Sequence, residues 1–224
     1  MIKSISQLNK QIIQCEKCPR LASYIRKIAI DKVKRYRHEK YWGLPLNGFG
    51  DPNAKLLIIG LAPAAHGGNR TGRMFTGDSS GDWLAKVLFD NGFATRPNSD
   101  RINDGFQLIN AYITAAVKCA PPQNKPTRDE INTCSKFLYQ ELMILKNIKI
   151  IICLGKISYD SLKQIFGIKG KNFFHNNCFR YDNKIILCSY HPSRQNTQTG
   201  RLTWNQWNEI FVQARNLLDK LENQ

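Results

Sequence analysis

Leu56-Leu57-Ile58-Ile59-Gly60-Leu61, running directly into Ala62-Pro63-Ala64-Ala65-His66-Gly67-Gly68-Asn69-Arg70-Thr71-Gly72-Arg73-Met74-Phe75-Thr76-Gly77-Asp78, is the stretch on which the fold turns. Its opening residues are apolar without alternation, which marks a strand covered on both faces. The remainder, from Ala62 on, is long, glycine-rich and polar, and a helical stretch over about residues 79–92 comes next. Three more apolar runs repeat the theme: Tyr112 to Val117, Ile150 to Leu154, and Ile185 to Tyr190. Helical stretches over about 127–147 and 155–166 separate them, and a last one lies near 203–220. The first of these is the best marked, since Thr127-Arg128-Asp129-Glu130 spells a capping box after Pro126 and leads into Ile131, Cys134, Leu138 and Leu142.

Strand–helix–strand alternation predicts a three-layer α/β/α sandwich with a largely parallel four-stranded sheet, because parallel neighbours need crossover connections. The first ~50 residues are expected to be helical and laid on that body, with residues 1–224 forming one domain, since no Gly/Ser linker, repeat or low-complexity tract interrupts the chain. In such sheets ligands bind beyond the carboxyl ends of the strands. Three unusual loops are expected to converge there: residues 60–78, then Lys118-Cys119-Ala120-Pro121-Pro122-Gln123-Asn124-Lys125-Pro126, then His191-Pro192-Ser193-Arg194-Gln195-Asn196-Thr197-Gln198-Thr199-Gly200-Arg201.

Length and composition narrow the function. With 224 residues of which 42% are hydrophobic, the chain is long enough for a sizeable core, and general disorder is excluded. No apolar run reaches the ~20 residues needed to cross a bilayer and residues 1–20 lack a secretory signal's pattern, so a cytoplasmic protein without a membrane partner is expected. The 33 Lys and Arg outnumber the 17 Asp and Glu by 16, which favours a polyanion such as nucleic acid, although solubility alone would also account for it. Arg26, Lys27, Lys32, Lys34, Arg35, Arg37 and Lys40 crowd together, as a basic binding face or a merely solvated one.

Seven cysteines in a cytoplasmic chain point away from disulfides. Cys15-Glu16-Lys17-Cys18 is a C-x-x-C pair, and Cys119 and Cys134 make up a set of four thiolates able to close a metal site. Soft thiolate donors suit either tetrahedral zinc or an iron–sulfur cluster, while Cys134, on the apolar stripe of its helix, also fits a core position. Cys153, Cys178 and Cys188 are read as packing residues.

Taken together, the motif Gly60 to Gly67 with Arg73-Met74-Phe75-Thr76-Gly77-Asp78, the motif Cys119-Ala120-Pro121-Pro122, the motif His191 to Thr197 and the four cysteines closely resemble the type 5 uracil-DNA glycosylases, from Cys15 to Arg201. That resemblance implies a monofunctional DNA glycosylase of base excision repair with the uracil-glycosylase fold, removing uracil and some other deaminated bases; a monomer is expected. It also implies a structural [4Fe–4S] cluster on Cys15, Cys18, Cys119 and Cys134, with zinc as the alternative occupant, and Asp78, Asn124 and His191 as functional polar residues. Two departures from the wider superfamily stand out. The first motif has no acidic or amide side chain, and Ala115 occupies the place where type 4 enzymes carry a uracil-pairing Asn, which fits a broader range of bases.

Breaking an N-glycosidic bond leaves a sugar of oxocarbenium character and a base anion, so negative charge is needed near C1′ and donors near the base. Asp78 is expected to supply the first and to orient the attacking water; it is equally placed to cap the helix from Ser79. His191 is expected to donate to the base as charge builds, and Asn124 has an amide suited to a pyrimidine edge or to a turn. Phe75 would stack on the extruded base or serve as core, and Gly60, Leu61 and Ala62 would border the base. Ser193 could hold a phosphate, and Arg194, Gln195 or Asn196 could fill the gap in the stack. His66 is a further candidate with nothing to rank it. The competing class is a nucleic-acid-binding module without chemistry. A nucleotide-binding enzyme is disfavoured, since no glycine loop spells G-x-x-x-x-G-K-[ST] or a full G-x-G-x-x-G after a strand.

Overall fold

A computed structural model describes residues 4–223. Its strands are β1 (Phe49–Gly50), β2 (Leu56–Gly60), β3 (Ala111–Ala115), β4 (Ile150–Leu154), β5 (Cys178–Tyr181) and β6 (Lys184–Ser189). Its helices are α1 (Ile5–Ile13), α2 (Pro19–Asp31), α3 (Gly68–Thr71), α4 (Ser79–Asp90), α5 (Arg128–Ile144), α6 (Lys156–Phe166), α7 (Arg194–Gln198) and α8 (Trp204–Glu222). The sheet order is β1-β3-β2-β4-β6-β5. The four expected strands form its parallel centre, β3-β2-β4-β6, each within a residue or two of the expected run. The sheet has six strands rather than four because an antiparallel strand closes each edge, β1 against β3 and β5 against β6.

Alternate strand residues feed two separate cores. Leu56, Ile58, Ile113, Ile150 and Ile152 pack with Leu84, Leu88, Trp207 and Phe211 of α4 and α8. Leu57, Ile59, Tyr112, Ile151 and Cys153 pack with Leu138, Leu142, Tyr159 and Leu162 of α5 and α6. That is why the strand sequences do not alternate: both faces are buried, and three layers result. The chain leaves β2 for β3 on one side and then returns to β4 on the other, and such a reversal opens a crevice at the carboxyl ends.

The N-terminal residues form α1 and α2, and Leu8, Ile12 and Leu21 from these helices pack with Val117, Cys134 and Phe137. Residues 37–48 are mostly irregular, and the segment ends in β1 rather than helix. The three long loops each hold a short helical turn: α3 in the first, a 3-10 turn at Pro122–Asn124 in the second, and α7 in the third. Cys153 and Cys188 are buried as expected, but Cys178 is exposed, because it sits on the outer side of an edge strand.

Candidate active site

The three loops do converge. A cleft of about 680 Å³ at the carboxyl edge is bordered by Leu61, Ala62, Phe75, Asp78, Asn124, His191, Ser193 and Arg194, and by Ala115 at the end of β3. A fourth wall, Gly155-Lys156-Ile157 at the start of α6, is one the sequence reading missed. Its only signal is a glycine directly after an apolar run. Gly60 does not border the cleft; it is buried beneath Phe75, and a Cβ there would stand 2.6 Å from the ring. The glycine therefore lets the ring lie against the strand end.

Phe75 has a left-handed backbone (φ 50°), uncommon for a bulky residue and worth an explanation. The ring it aims into the cleft stacks on His191 at 5.8 Å between centroids and 29° between planes. His191 leaves β6 ahead of Pro192, and burial pushes its imidazole pKa down to about 4, so the ring is neutral at pH 7. Of its loop, Asn196 donates to the His191 carbonyl at 2.8 Å, and Ser80 Oγ donates to the Pro192 carbonyl at 3.0 Å.

Asp78 divides its carboxylate. Oδ1 accepts the backbone N–H of Ser80 at 2.9 Å and of Gly81 at 3.0 Å, so Asp78 is the N-cap of α4. Oδ2 lies over the Cα of Gly67, in space that any side chain there would fill. Burial raises the Asp78 pKa, while the two N–H donors and the positive charges of Arg70 and Arg194 pull it back down. Arg70 also staples the loop around Asp78: it donates to the carbonyls of His66 at 2.7 Å and Gly77 at 2.9 Å, pairs with Glu39 at 2.5 Å and lies over Tyr36.

The remaining expected residues are spread over the same loops. Asn124 borders the cleft, exposed, with φ 57°, right after Gln123 at φ 54°. The Ser193 hydroxyl accepts the Asn196 N–H and so caps α7. Arg194 is exposed and reaches Ser79 Oγ at 3.3 Å. His66 lies outside the cleft lining and meets the Tyr41 hydroxyl at 3.1 Å. The basic cluster of residues 26–40 does not border the cleft.

Cys15, Cys18, Cys119 and Cys134 border one small cavity together with Leu21, Val117 and Phe137. Burial, and then the neighbouring Cys134, Cys15 and Cys18, push the Cys119 thiol above its ordinary range. The Lys118 N–H donates to Cys134 Sγ at 3.3 Å. As a donor set, four clustered thiols in an apolar lining fit a thiophilic metal group. Among the described residues, no three His, Cys, Asp or Glu side chains converge to seat a single ion.

The cleft thus brings an aromatic ring, a carboxylate and a neutral imidazole onto one lining. Comparison with known proteins gives the class. The chain belongs to the uracil DNA glycosylase superfamily, whose family model matches residues 47–215. Within that superfamily it is similar to type-5 members. The type-5 uracil-DNA glycosylase of Thermus thermophilus is 42% identical over 206 residues, covering 91% of this chain and 93% of that protein. That of Pyrobaculum aerophilum is 41% identical over 204 residues, 91% of this chain and 89% of that protein. A type-4 uracil-DNA glycosylase, from Sulfurisphaera tokodaii, is 28% identical over 203 residues, 85% of this chain and 74% of that protein. No described helix is long and apolar enough to cross a membrane.

Proposed function

We propose that the chain is a DNA glycosylase of base excision repair, hydrolysing the N-glycosidic bond of uracil and of other deaminated bases extruded from DNA into the cleft. The observation that carries the reading is the split carboxylate of Asp78 in the cleft lining, one oxygen held by its helix and the other left over Gly67. A carboxylate so placed is a liability for holding phosphates and an asset for a reaction that generates a cation.

On this reading the extruded base stacks on Phe75. As the bond from C1′ to the base nitrogen breaks, Asp78 Oδ2 stabilises the positive sugar and orients water, whose oxygen bonds to C1′ while its proton is released to the carboxylate. The electron pair leaves with the base, and neutral His191 donates a hydrogen bond to the developing anion. Neutral imidazole avoids the cost of a buried cation before the anion exists. The base-facing wall of Leu61, Ala62 and Ala115 offers no side-chain hydrogen bond, and apolar walls discriminate weakly between ring substituents, which supports acceptance of several deaminated bases.

The test is alkali-revealed cleavage of labelled oligonucleotides with one uracil, hypoxanthine or xanthine, using wild type and Asp78→Asn. Asn caps a helix about as well as Asp, so folding is kept while the negative charge goes. The expected result is excision lost by roughly 100-fold or more; undiminished excision would overturn the role of Asp78.

We propose that Cys15, Cys18, Cys119 and Cys134, which border one cavity, hold the [4Fe–4S] cluster implied by the resemblance. Such a group would supply a structural cross-link between the N-terminal helices, the loop after β3, and α5. Broad visible absorbance with bound iron, both lost in Cys18→Ser, is expected; stoichiometric zinc without colour would refute it.

A further inference from the structure

Residues 167–177 join α6 to β5. Because β5 runs antiparallel to β6, with Cys178 opposite Leu187, this segment rises past the carboxyl end of β6. It therefore lies one strand spacing, about 4.8 Å, beyond the Tyr190–His191 step. Several contacts fasten it there. The His175 ring stacks on Tyr190 at 5.0 Å and 14°, and its Nδ1 accepts the Tyr190 N–H at 3.2 Å. Phe173 packs against Tyr190 at 6.2 Å, and the Lys171 carbonyl accepts from Tyr159 Oη and Lys163 Nζ, each at 2.9 Å.

Between the two anchored rings, Phe174 is turned outward and is 62% exposed. Lys169 and Lys171 are exposed in the same segment, Lys171 Nζ lying 5.8 Å from the centroid of the Phe179 ring, and residues 167–177 contain no Asp or Glu. Arg201 adds a further cation, its guanidinium 4.5 Å over the Tyr190 ring. A single exposed apolar side chain is ordinary on a protein surface. This one sits on an anchored backbone, in a segment with two lysines and no acid, between two residues that pack on Tyr190, the residue before His191.

We propose that residues 169–174 form a second nucleic-acid contact, in which Phe174 stacks on a base flanking the extruded one while Lys169 and Lys171 meet the neighbouring phosphates. The proposal rests on the glycosylase reading above. Extruding one base leaves its neighbours with an uncovered face, and a strand leaving the cleft past His191 next meets this segment. Stacking on an aromatic ring suits that task, since every base has a π-face and no sequence preference is imposed. The lysines supply attraction that tracks the backbone without reading it.

The test measures binding of a 20-nucleotide single strand with one uracil, by fluorescence anisotropy, together with single-turnover excision at saturating enzyme. Wild type, Phe174→Ala, Phe174→Trp and Lys169→Gln/Lys171→Gln are compared, all with the full chain. Phe174→Ala should weaken binding about fivefold or more, with Phe174→Trp restoring it and saturated excision staying within about twofold. The lysine pair should lower the slope of log K against log salt by about 1.4. Trimming the strand to the uracil nucleotide alone, with no neighbouring base on either side, should abolish the difference at Phe174. Wild type that binds and excises while Phe174→Ala binds the long strand equally well overturns this inference alone. Wild type that neither binds nor excises overturns the glycosylase reading and this inference with it.

Discussion

Replacing Gly67 by Ala tests the placement of Asp78 without touching the carboxylate itself. A Cβ on Gly67 would stand 2.7 Å from Asp78 Cγ and closer still to Oδ2, whereas ordinary contact for a Cβ begins at 3.4 Å. Asp78 must therefore retreat by about 0.7 Å at Cγ, and further at the oxygen, which swings on the longer arm. Its other oxygen is tied to the N–H groups of Ser80 and Gly81, so the movement also strains the cap of α4. A misplacement of ~1 Å in a reacting group costs on the order of 100-fold in rate. Loosening the cap costs about 1 kcal/mol of stability. Single-turnover excision of uracil by Gly67→Ala should thus fall about 100-fold with only a modest drop in melting temperature. The double variant Gly67→Ala/Asp78→Ala should be no slower than Asp78→Ala, because the methyl acts through the carboxylate. Excision by Gly67→Ala within threefold of wild type, or an equal slowing by the methyl when Asp78 is absent, would refute the reasoning.

Charges around the site lead to two further outcomes. Arg70 lowers the pKa of Asp78, as does Arg194, against burial and with Asp82 as the nearby acid; Arg70→Gln should therefore raise that pKa and move the acid limb of the kcat/KM profile to higher pH, while Arg70→Lys moves it less. An unmoved limb in Arg70→Gln would separate Arg70 from the electrostatics of Asp78. Asp104 pairs with Arg73 at 2.7 Å, the two side chains 5% and 11% exposed, and burial, which alone would raise its pKa, is outweighed by Arg73 and three backbone N–H donors. Its pKa is lower folded than unfolded, so its stabilisation is full above about pH 4 and is lost as acid is added below that value. Asp104→Asn should destabilise by about 3–5 kcal/mol at pH 7 and flatten the acid slope of stability, as read by urea unfolding at a series of pH values; an unchanged slope would count against the pair.

Much of this architecture is legible because its four central strands are buried on both faces, and burial on both faces leaves an unbroken apolar run. The edge strands escape that signal for the same physical reason. β1 has two residues, and β5 alternates exposed and half-buried positions over Cys178-Phe179-Arg180-Tyr181, so neither supplies an apolar run. Lys118 and Glu141 are likewise invisible as core. Both are buried, Lys118 Nζ donating to Glu141 Oε2 at 2.7 Å, and only the packing of the loop after β3 against α5 brings the two together. Of the candidate site, His191 has a positional signal, directly after an apolar run and ahead of Pro192, whereas Asp78 and Asn124 are singled out by the resemblance of their motifs. The α6 wall is not, because Gly155-Lys156-Ile157 carries no loop long enough to mark it.

The two roles weighed for Asp78 in the sequence are compatible because a carboxylate has two oxygens. Capping occupies Oδ1 and fixes the side chain's torsions, so the helix itself orients the group. Oδ2 then faces its space without the entropy cost of being held there by a separate partner. Gly67 is the complement of this arrangement, since it keeps the space over Oδ2 open while α3, starting one residue later, keeps its backbone in place. Arg70, from the same short helix, grips the carbonyls on both sides of the gap, at His66 and Gly77. A motif that reads as a long polar loop is thus built around one oxygen atom: its glycine clears the space, its arginine closes the turn, and its aspartate divides between holding a helix and facing that space. Removing the cap and removing the charge are separable perturbations of that design, which is why Asp78→Asn and Asp78→Ala should differ in stability while agreeing in rate.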